Sequence, residues 1–512
     1  MKQGMLKKNL RRRIVICGIC FLFICLSITP SISSVSKDYY SISPHVGGSE
    51  RTNDEDIPTW YQGDEWIYTI DPLHFSSPNG SFSGTIQNFK QRVVGIVGDA
   101  YKVALTGTIS GTLIINSTSG TVSGGITGTS YVRLSDLAEE ISEIQSEGTI
   151  LISNIIPVPY ELNLVTTSSP ALEIFDFPLA VGEQWQLEGE TTTQGSFSIT
   201  GLYEQSLNGN QSIDEIVSCI AEESVSVQAG VFDCLTVSRG NTMTWYSSEA
   251  GNIVKTMIDE SDENMTVQMT QSLKSFSRAL QPLTVSEEIE PAAVVASGVS
   301  VVVSGQAVNT GTGAPVQNGA VTIQIPSTGD SWSTTTDSSG HYSKTIVAPT
   351  MSDDTSSGRE TGSGGVVVHC SSGSLSGYRV QTLVTMQDTP PATPSIQGQT
   401  KGKPGVAYSY TVVAQDPEAD EVLYFVDWGD TTNSSWVGPY SSDENVTLSH
   451  TFTKKGTYTI KVKARDVYYA ESDWGTLQVK MPMSISFYPF LQFLERLPHI
   501  FPILRYLLSC FI

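Results

Sequence analysis

The stretch Y-F-V-D-W-G-D, Tyr424 to Asp430, and the run S-H-T-F-T-K-K-G-T-Y-T-I-K-V-K-A-R-D, Ser449 to Asp466, decide how the chain is read. In the first, Tyr424 and Val426 alternate with Phe425 and Asp427, the period of a strand with one face inward. Trp428 is large enough to plug a core, and Gly429-Asp430 is turn chemistry. In the second, Lys455-Gly456 marks a turn. Tyr458, Ile460, Val462 and Ala464 then fall on one face, and Thr457, Thr459, Lys461 and Lys463 on the other. The pair predicts two central strands of a β-sandwich.

These residues resemble the PKD domain, an Ig-like sandwich of extracellular proteins. Asp427-Trp428-Gly429-Asp430 matches its strand end, and His450-Thr451-Phe452 with Gly456-Thr457-Tyr458 matches the strand that follows. Thr431 stands where a second glycine is usual. The resemblance covers residues 391–481, within a domain placed at 390–482. It implies a fold and an extracellular setting, and no reaction.

The bulk properties agree with that setting. The chain has 512 residues, too many for one core, and a net charge of −23. Only 16% of residues are charged. No basic stripe exists to neutralise phosphates, so nucleic acid is excluded as a partner. Lys7 to Arg13 is basic, Ile14 to Ile28 is apolar, and small polar residues follow. That order reads as a signal peptide over 1–34, with a flexible lead-in at 35–58.

Residues 59–279 form the first domain. Gly63-Asp64-Glu65-Trp66 opens its first half and Gly182-Glu183-Gln184-Trp185 its second. Either the domain carries an internal duplication, or two strands begin with the same turn. Leu134, Leu137, Ile141 and Ile144 recur at helical spacing, so one helix is expected across 134–146. The stretch Gly230 to Lys255 resembles lipoprotein-carrier-like half-barrels, which implies a curved antiparallel sheet able to hold an apolar ligand. Cys219 and Cys234 share this domain of an exported chain and are expected to form a disulfide across a hairpin turning at Gln228-Ala229-Gly230.

Residues 280–296 read as a linker. The second domain, 297–389, resembles the carboxypeptidase regulatory-like or transthyretin-like sandwich through Pro315, Gly319-Ala320, Asp337, Gly340 and Tyr342. Cys370 in it is expected to be a buried free thiol. The tail, 483–512, is apolar but broken by Pro489, Pro498 and Pro502 and carries Glu495, Arg496 and Arg505. It is expected to lie on a membrane surface without crossing.

The fold expected is therefore mainly β and multidomain: a half-barrel with one helix, then two Ig-like sandwiches. No catalytic constellation stands out: G-x-S-x-G, H-E-x-x-H and the P-loop pattern are all missing from the sequence. The acidic residues Asp416, Asp420, Asp427 and Asp430 carry hard oxygen ligands suited to calcium, the one cofactor considered. Asp416-Pro417, Asp420 and Tyr424 also resemble a calcium-using segment of PKD-like and cadherin-like domains. The other reading is a solvated acidic loop. Asn79, Asn116, Asn210, Asn264, Asn433 and Asn445 each begin an N-x-S/T sequon. The function expected is non-enzymatic binding or display outside the cell, toward a surface protein or glycan. The alternatives are a carrier of an apolar ligand and an accessory to a secreted hydrolase.

Overall fold

The computed structural model describes residues 57–482, apart from 79, 116–117, 154, 178, 262–264 and 352–360. The expected signal peptide and tail lie outside the described residues. The chain divides into two compact units, 1–387 and 388–512.

Twelve strands of the first unit close into an antiparallel barrel in which every strand lies beside its neighbours in sequence. They are β1 (Glu65–Ser77), β2 (Gly80–Val97), β3 (Ala100–Ile115), β4 (Thr118–Arg133), β5 (Glu139–Ile152) and β6 (Ile156–Leu172). The second six are β7 (Gln184–Ile199), β8 (Tyr203–Val227), β9 (Gly230–Arg239), β10 (Thr242–Ser247), β11 (Asn252–Ser261) and β12 (Thr266–Ser277). The half-barrel expectation is thus corrected: β1 pairs with β12 and removes the sheet edge. Most inward positions are apolar, with buried serine and threonine among them. Trp60, Trp66, Tyr68, Phe75, Phe82 and Tyr101 belong to one packed cluster inside the wall. On β7 the outward positions are polar, Gln184, Gln186, Glu188 and Glu190. Gly84 faces Gly111 and Gly124 faces Gly148 across the ladder. A Cβ on Gly84 would come within 2.7 Å of the Gly111 α-carbon, so the wall bends where only glycine fits.

The two halves of the barrel open on the same turn. The Gly63 amide donates to the Val93 carbonyl at 2.8 Å, and the Val93 amide returns to the Asp64 carbonyl at 2.9 Å. The Gly182 amide donates to Cys219 O at 2.8 Å, and the Cys219 amide returns to Glu183 O at 3.0 Å. Both glycines are left-handed, with φ of 99° and 97°. Tyr61 N donates to the Asp64 carboxylate, as Ala180 N does to that of Glu183. The shared sequence is therefore a shared structure that begins each set of six strands.

No helix occurs among the described residues. The helix expected at 134–146 is replaced by a turn and the start of β5. The Ala138 amide donates to Asp136 Oδ1, and Arg133 pairs with the same carboxylate, so Leu134 and Leu137 sit in the turn. From Glu139 the chain runs as a strand with Ser142, Ile144 and Ser146 inward. Cross-strand pairing overrode the local helical spacing. Cys219 and Cys234 are free and buried, which corrects the expected disulfide. The hairpin between them is present, but Cys219 faces Val237 while Cys234 faces Glu223. The two thiols lie in separate core clusters. Cys370 is free and buried, as expected.

Residues 280–296 are not a bare linker. They carry β13 (Leu283–Val285), β14 (Glu288–Glu290) and β15 (Val294–Ala296). The strands that follow are β16 (Ser300–Asn309), β17 (Ala320–Ile325), β18 (Asp330–Thr335), β19 (His341–Val347), β20 (Thr361–Ser372) and β21 (Leu375–Met386). One sheet is ordered β13-β16-β14 with β19 beside β16, the other β15-β21-β20-β17-β18. The second sheet covers one mouth of the barrel. Thr59 Oγ1 donates to Val380 O at 3.2 Å and accepts from Val380 N at 3.0 Å. The Tyr378 hydroxyl donates to Trp60 O at 2.6 Å. Val367 and Val380 join the barrel's own core cluster.

The second unit is a smaller sandwich. Its strands are β22 (Ser395–Gly398), β23 (Ala407–Val413), β24 (Val422–Asp427), β25 (Val437–Tyr440), β26 (Val446–Thr451), β27 (Gly456–Asp466) and β28 (Gly475–Met481). They form sheets β22-β23-β26 and β25-β24-β27-β28. Tyr424, Val426, Ile460, Val462 and Ala464 are buried, as their alternation predicts. Trp428 stacks on His450 at 4.4 Å with the planes 6° apart.

Candidate functional site: the acidic pole of the second unit

Two turns at one end of the second unit are built alike. After β23 the chain reaches Asp416, whose Oδ1 accepts the amides of Glu418 and Asp420, each at 3.0 Å. At the end of β27, Asp466 Oδ1 accepts the amides of Tyr468 at 2.8 Å and Ala470 at 3.0 Å. The residue three places on is left-handed in both, Ala419 with φ 66° and Tyr469 with φ 71°. Each aspartate therefore spends one oxygen on its own turn.

The other oxygen is what matters chemically. Asp416 and Asp466 are 2% and 1% exposed, and Oδ2 of each is buried with no hydrogen-bond donor. Burial pushes the Asp466 carboxyl up to about 6 against the amide donations of its turn, the Asp388 carboxyl beside it lowers it, and the charge of Asp416 raises it further. Burial likewise raises Asp416, whose turn amides lower it and whose neighbours Asp420 and Glu418 raise it. Buried carboxylates that repel each other need a proton or a cation between them. Among the described residues no group of three or more His, Cys, Asp and Glu side chains stands ready to hold a metal ion. The pole as placed is a set of converging charges with two orphaned oxygens.

The four aspartates expected to act together are divided. Asp416 and Asp420 lie at this pole. Asp427 lies at the far end of β24: Val422 pairs with Asp466, and Asp427 with Lys461. Five strand residues separate those ends, roughly 17 Å. Asp427 Oδ1 accepts the Gly429 amide. Asp430 Oδ1 accepts the Thr432 amide, and its Oδ2 meets His450 Nε2 at 2.8 Å. Burial would raise Asp430, but hydrogen bonds from Thr432 and His450 outweigh it and hold the carboxyl below its ordinary value. Both residues are satisfied parts of a turn. In their place the fold brings Asp388 and Asp466, which the sequence reading missed. The available signal was a repeat of turn chemistry, Asp followed two and four residues later by amide donors, at D-P-E-A-D and D-V-Y-Y-A.

Of the sequons, Asn79, Asn116 and Asn264 lie outside the described residues. Asn210, Asn433 and Asn445 are exposed.

No protein-family model matches the chain, and no curated protein matches it. Among solved structures, it is similar to the PKD domain of an M14-like peptidase from a Thermoplasmatales archaeon, with 47% identity over 19% of this chain and 99% of that one, at a TM-score of 0.19. It is also similar to a C-terminal fragment of intimin solved with the intimin-binding domain of its receptor, at 12% identity over 39% of this chain and 64% of that one, TM-score 0.18. A protein of Corynebacterium diphtheriae described as membrane anchored matches at 10% identity over 82% of this chain and 95% of that one, TM-score 0.16.

Proposed function

We propose that the chain is a non-enzymatic modular protein of the cell surface or exterior, built to bind or display. The observation that carries this reading is the closed barrel with its attached sandwich. Buried side chains pack on one another within it, the outward positions of β7 are polar, and the adjoining sandwich covers one mouth. Such a body offers surface, and an apolar ligand would have to share the interior with the inward aromatic residues. The acidic composition and the PKD-like second unit suit an extracellular setting. Labelling intact cells with an antibody to the barrel tests the location: signal is expected without permeabilisation, and signal only after permeabilisation overturns it. Native mass spectrometry of the purified chain is expected to find no co-purified lipid.

Within this reading the acidic pole takes a hard divalent cation, calcium. Asp416 Oδ2 and Asp466 Oδ2 would be its central ligands, with Asp388 and Asp420 drawn inward. Calcium would supply the positive charge that the buried oxygens lack and fix two turns to each other.

A further inference from the structure

The middle sandwich meets the barrel along one face of its larger sheet, and the barrel covers only part of that face. Tyr378 of β21 stands opposite His369 of β20, and His369 opposite Thr322 of β17. One step along, Val380 lies opposite Val367, and Val367 opposite Gln324. Directly paired residues share a face. Over β21 and β20 the barrel covers it: Val367 and Val380 belong to the barrel's core cluster, and the Tyr378 hydroxyl bonds to Trp60 O. Farther along, Ser331 and Ser333 of β18 pair with Gln324 and Thr322. Gln324, Ser331 and Ser333 are exposed.

Where the cover stops, a cleft of about 390 Å³ lies between this sheet and the turn from β2 to β3. That volume falls within the roughly 300–1,000 Å³ of small-molecule sites. Its lining is of two kinds. Ile96, Val367 and the Tyr378 ring are apolar, while Gln324, Asp330 and His369 supply an amide, a carboxylate and an imidazole. Asp330 Oδ2 accepts the Thr328 hydroxyl at 2.7 Å, which steadies the carboxylate at the rim.

These groups select among ligands. No lysine or arginine lines the cleft, so an anion would meet only the charge of Asp330. A hard cation would find a single carboxylate. A purely apolar ligand would take water from three polar groups and return no hydrogen bond. A sugar meets none of these costs. Its ring has an apolar C–H face, and each hydroxyl around it both donates and accepts.

We propose that this cleft binds a neutral sugar of one or two rings, such as the exposed end of a glycan. The C–H face lies on Ile96, Val367 and Tyr378. The hydroxyls donate to the Asp330 carboxylate and exchange hydrogen bonds with Gln324 and His369. This deepens the binding role proposed above and rests on it. Sugar binding can fail while antibody labelling of intact cells still succeeds.

The test uses the full chain and four probes: maltose, cellobiose, lactose and N,N′-diacetylchitobiose. Saturation-transfer NMR is expected to show contact with the C–H protons of at least one probe. That probe is expected to slow amide exchange at Gly98 and across Gln324 to Asp330. The double variant Gln324→Ala, Asp330→Ala changes two exposed positions and should weaken binding about tenfold, the loss of two hydrogen bonds. Gln186→Ala, on the outward face of β7, should leave binding unchanged. Transfer to none of the four probes overturns the proposal, and so does binding that survives the double substitution. Exchange protection confined to other strands overturns it as well, and that measurement needs only the unsubstituted chain.

Discussion

Asp337 in the middle sandwich and the pair Asp416 and Asp466 in the second unit start the same turn but titrate in opposite directions. Asp337 Oδ1 accepts the amides of Ser339 at 2.7 Å and His341 at 2.9 Å, and Gly340 between them has φ 79°. Those are the donor positions and the left-handed residue found after Asp416 and Asp466. Asp337 is exposed, and the His341 and Ser339 amides hold its carboxyl below the ordinary value. Asp416 and Asp466 receive the same donations and are raised, because burial outweighs the hydrogen bonds. The same turn is an ordinary connector in water and an unsatisfied charge in the core. Depth, rather than local sequence, makes the pole a candidate site.

The comparison can be broken by mutation. Asp466→Ala deprives the Tyr468 and Ala470 amides of their acceptor in a buried place, and should cost the second unit about 2–4 kcal/mol. Denaturant unfolding of the full chain, followed by amide exchange in β24 and β27, measures it. An equal loss from Asp337→Ala, followed in β18 and β19, would mean that burial does not set the difference.

Calcium sharpens it next. At a hundredfold excess over its dissociation constant, an ion that binds only the folded state adds about 2.7 kcal/mol. The transition of the second unit should therefore move up with calcium and return with chelator. Asp466→Asn should abolish that shift and Asp430→Asn should preserve it. The reverse pattern would return the ion to the turn that holds Asp427 and Asp430.

A smaller effect is expected with pH. The Asp466 carboxyl rises from 3.8 toward about 6 on folding, so the folded state favours its proton. Without calcium, stability from this group is present below pH 3.8 and is lost as pH rises through about 6. Asp337 has the opposite sign: its contribution is present at neutral pH and lost on acidification. Amide exchange in β24 and β27 during urea unfolding at several pH values would report the second unit. A calcium-free unit that gains stability between those pH values would contradict the assignment. Smallest of all, Asp337→Asn should leave the stability of the middle sandwich close to that of the parent, the usual outcome of an exposed change.

The legible part of the fold was the part written at short range. The alternation at Tyr424 to Asp427 and at Tyr458 to Ala464 placed two central strands correctly, because each has one buried face. The repeated Gly-acid-x-Trp turn was visible too, and its hydrogen bonds are the same in both places. Barrel closure was not legible, since Glu65 meets Ser277 and no local pattern records that pairing. β5 was misread because Ser142 and Ser146 face inward, where a period-two reading expects apolar residues. Half of the candidate site was legible in Asp416 and Asp420. Asp466 was not, because it reaches the pole only when β27 lies beside β24, and Asp388, ahead of β22, meets it only in the folded unit.

The sheet that covers the barrel's mouth also sets an order of events during synthesis. Thr59 bonds to Val380, 321 residues later, and Trp60 to Tyr378, 318 residues later. A chain emerges from its N-terminus, so the first residues of the barrel wait for nearly the last residues of the middle sandwich. Through that interval the carbonyl of Trp60 and the hydroxyl of Thr59 must remain with water. A nascent chain halted before residue 378 would hold all twelve strands and still lack the contacts that seal this end.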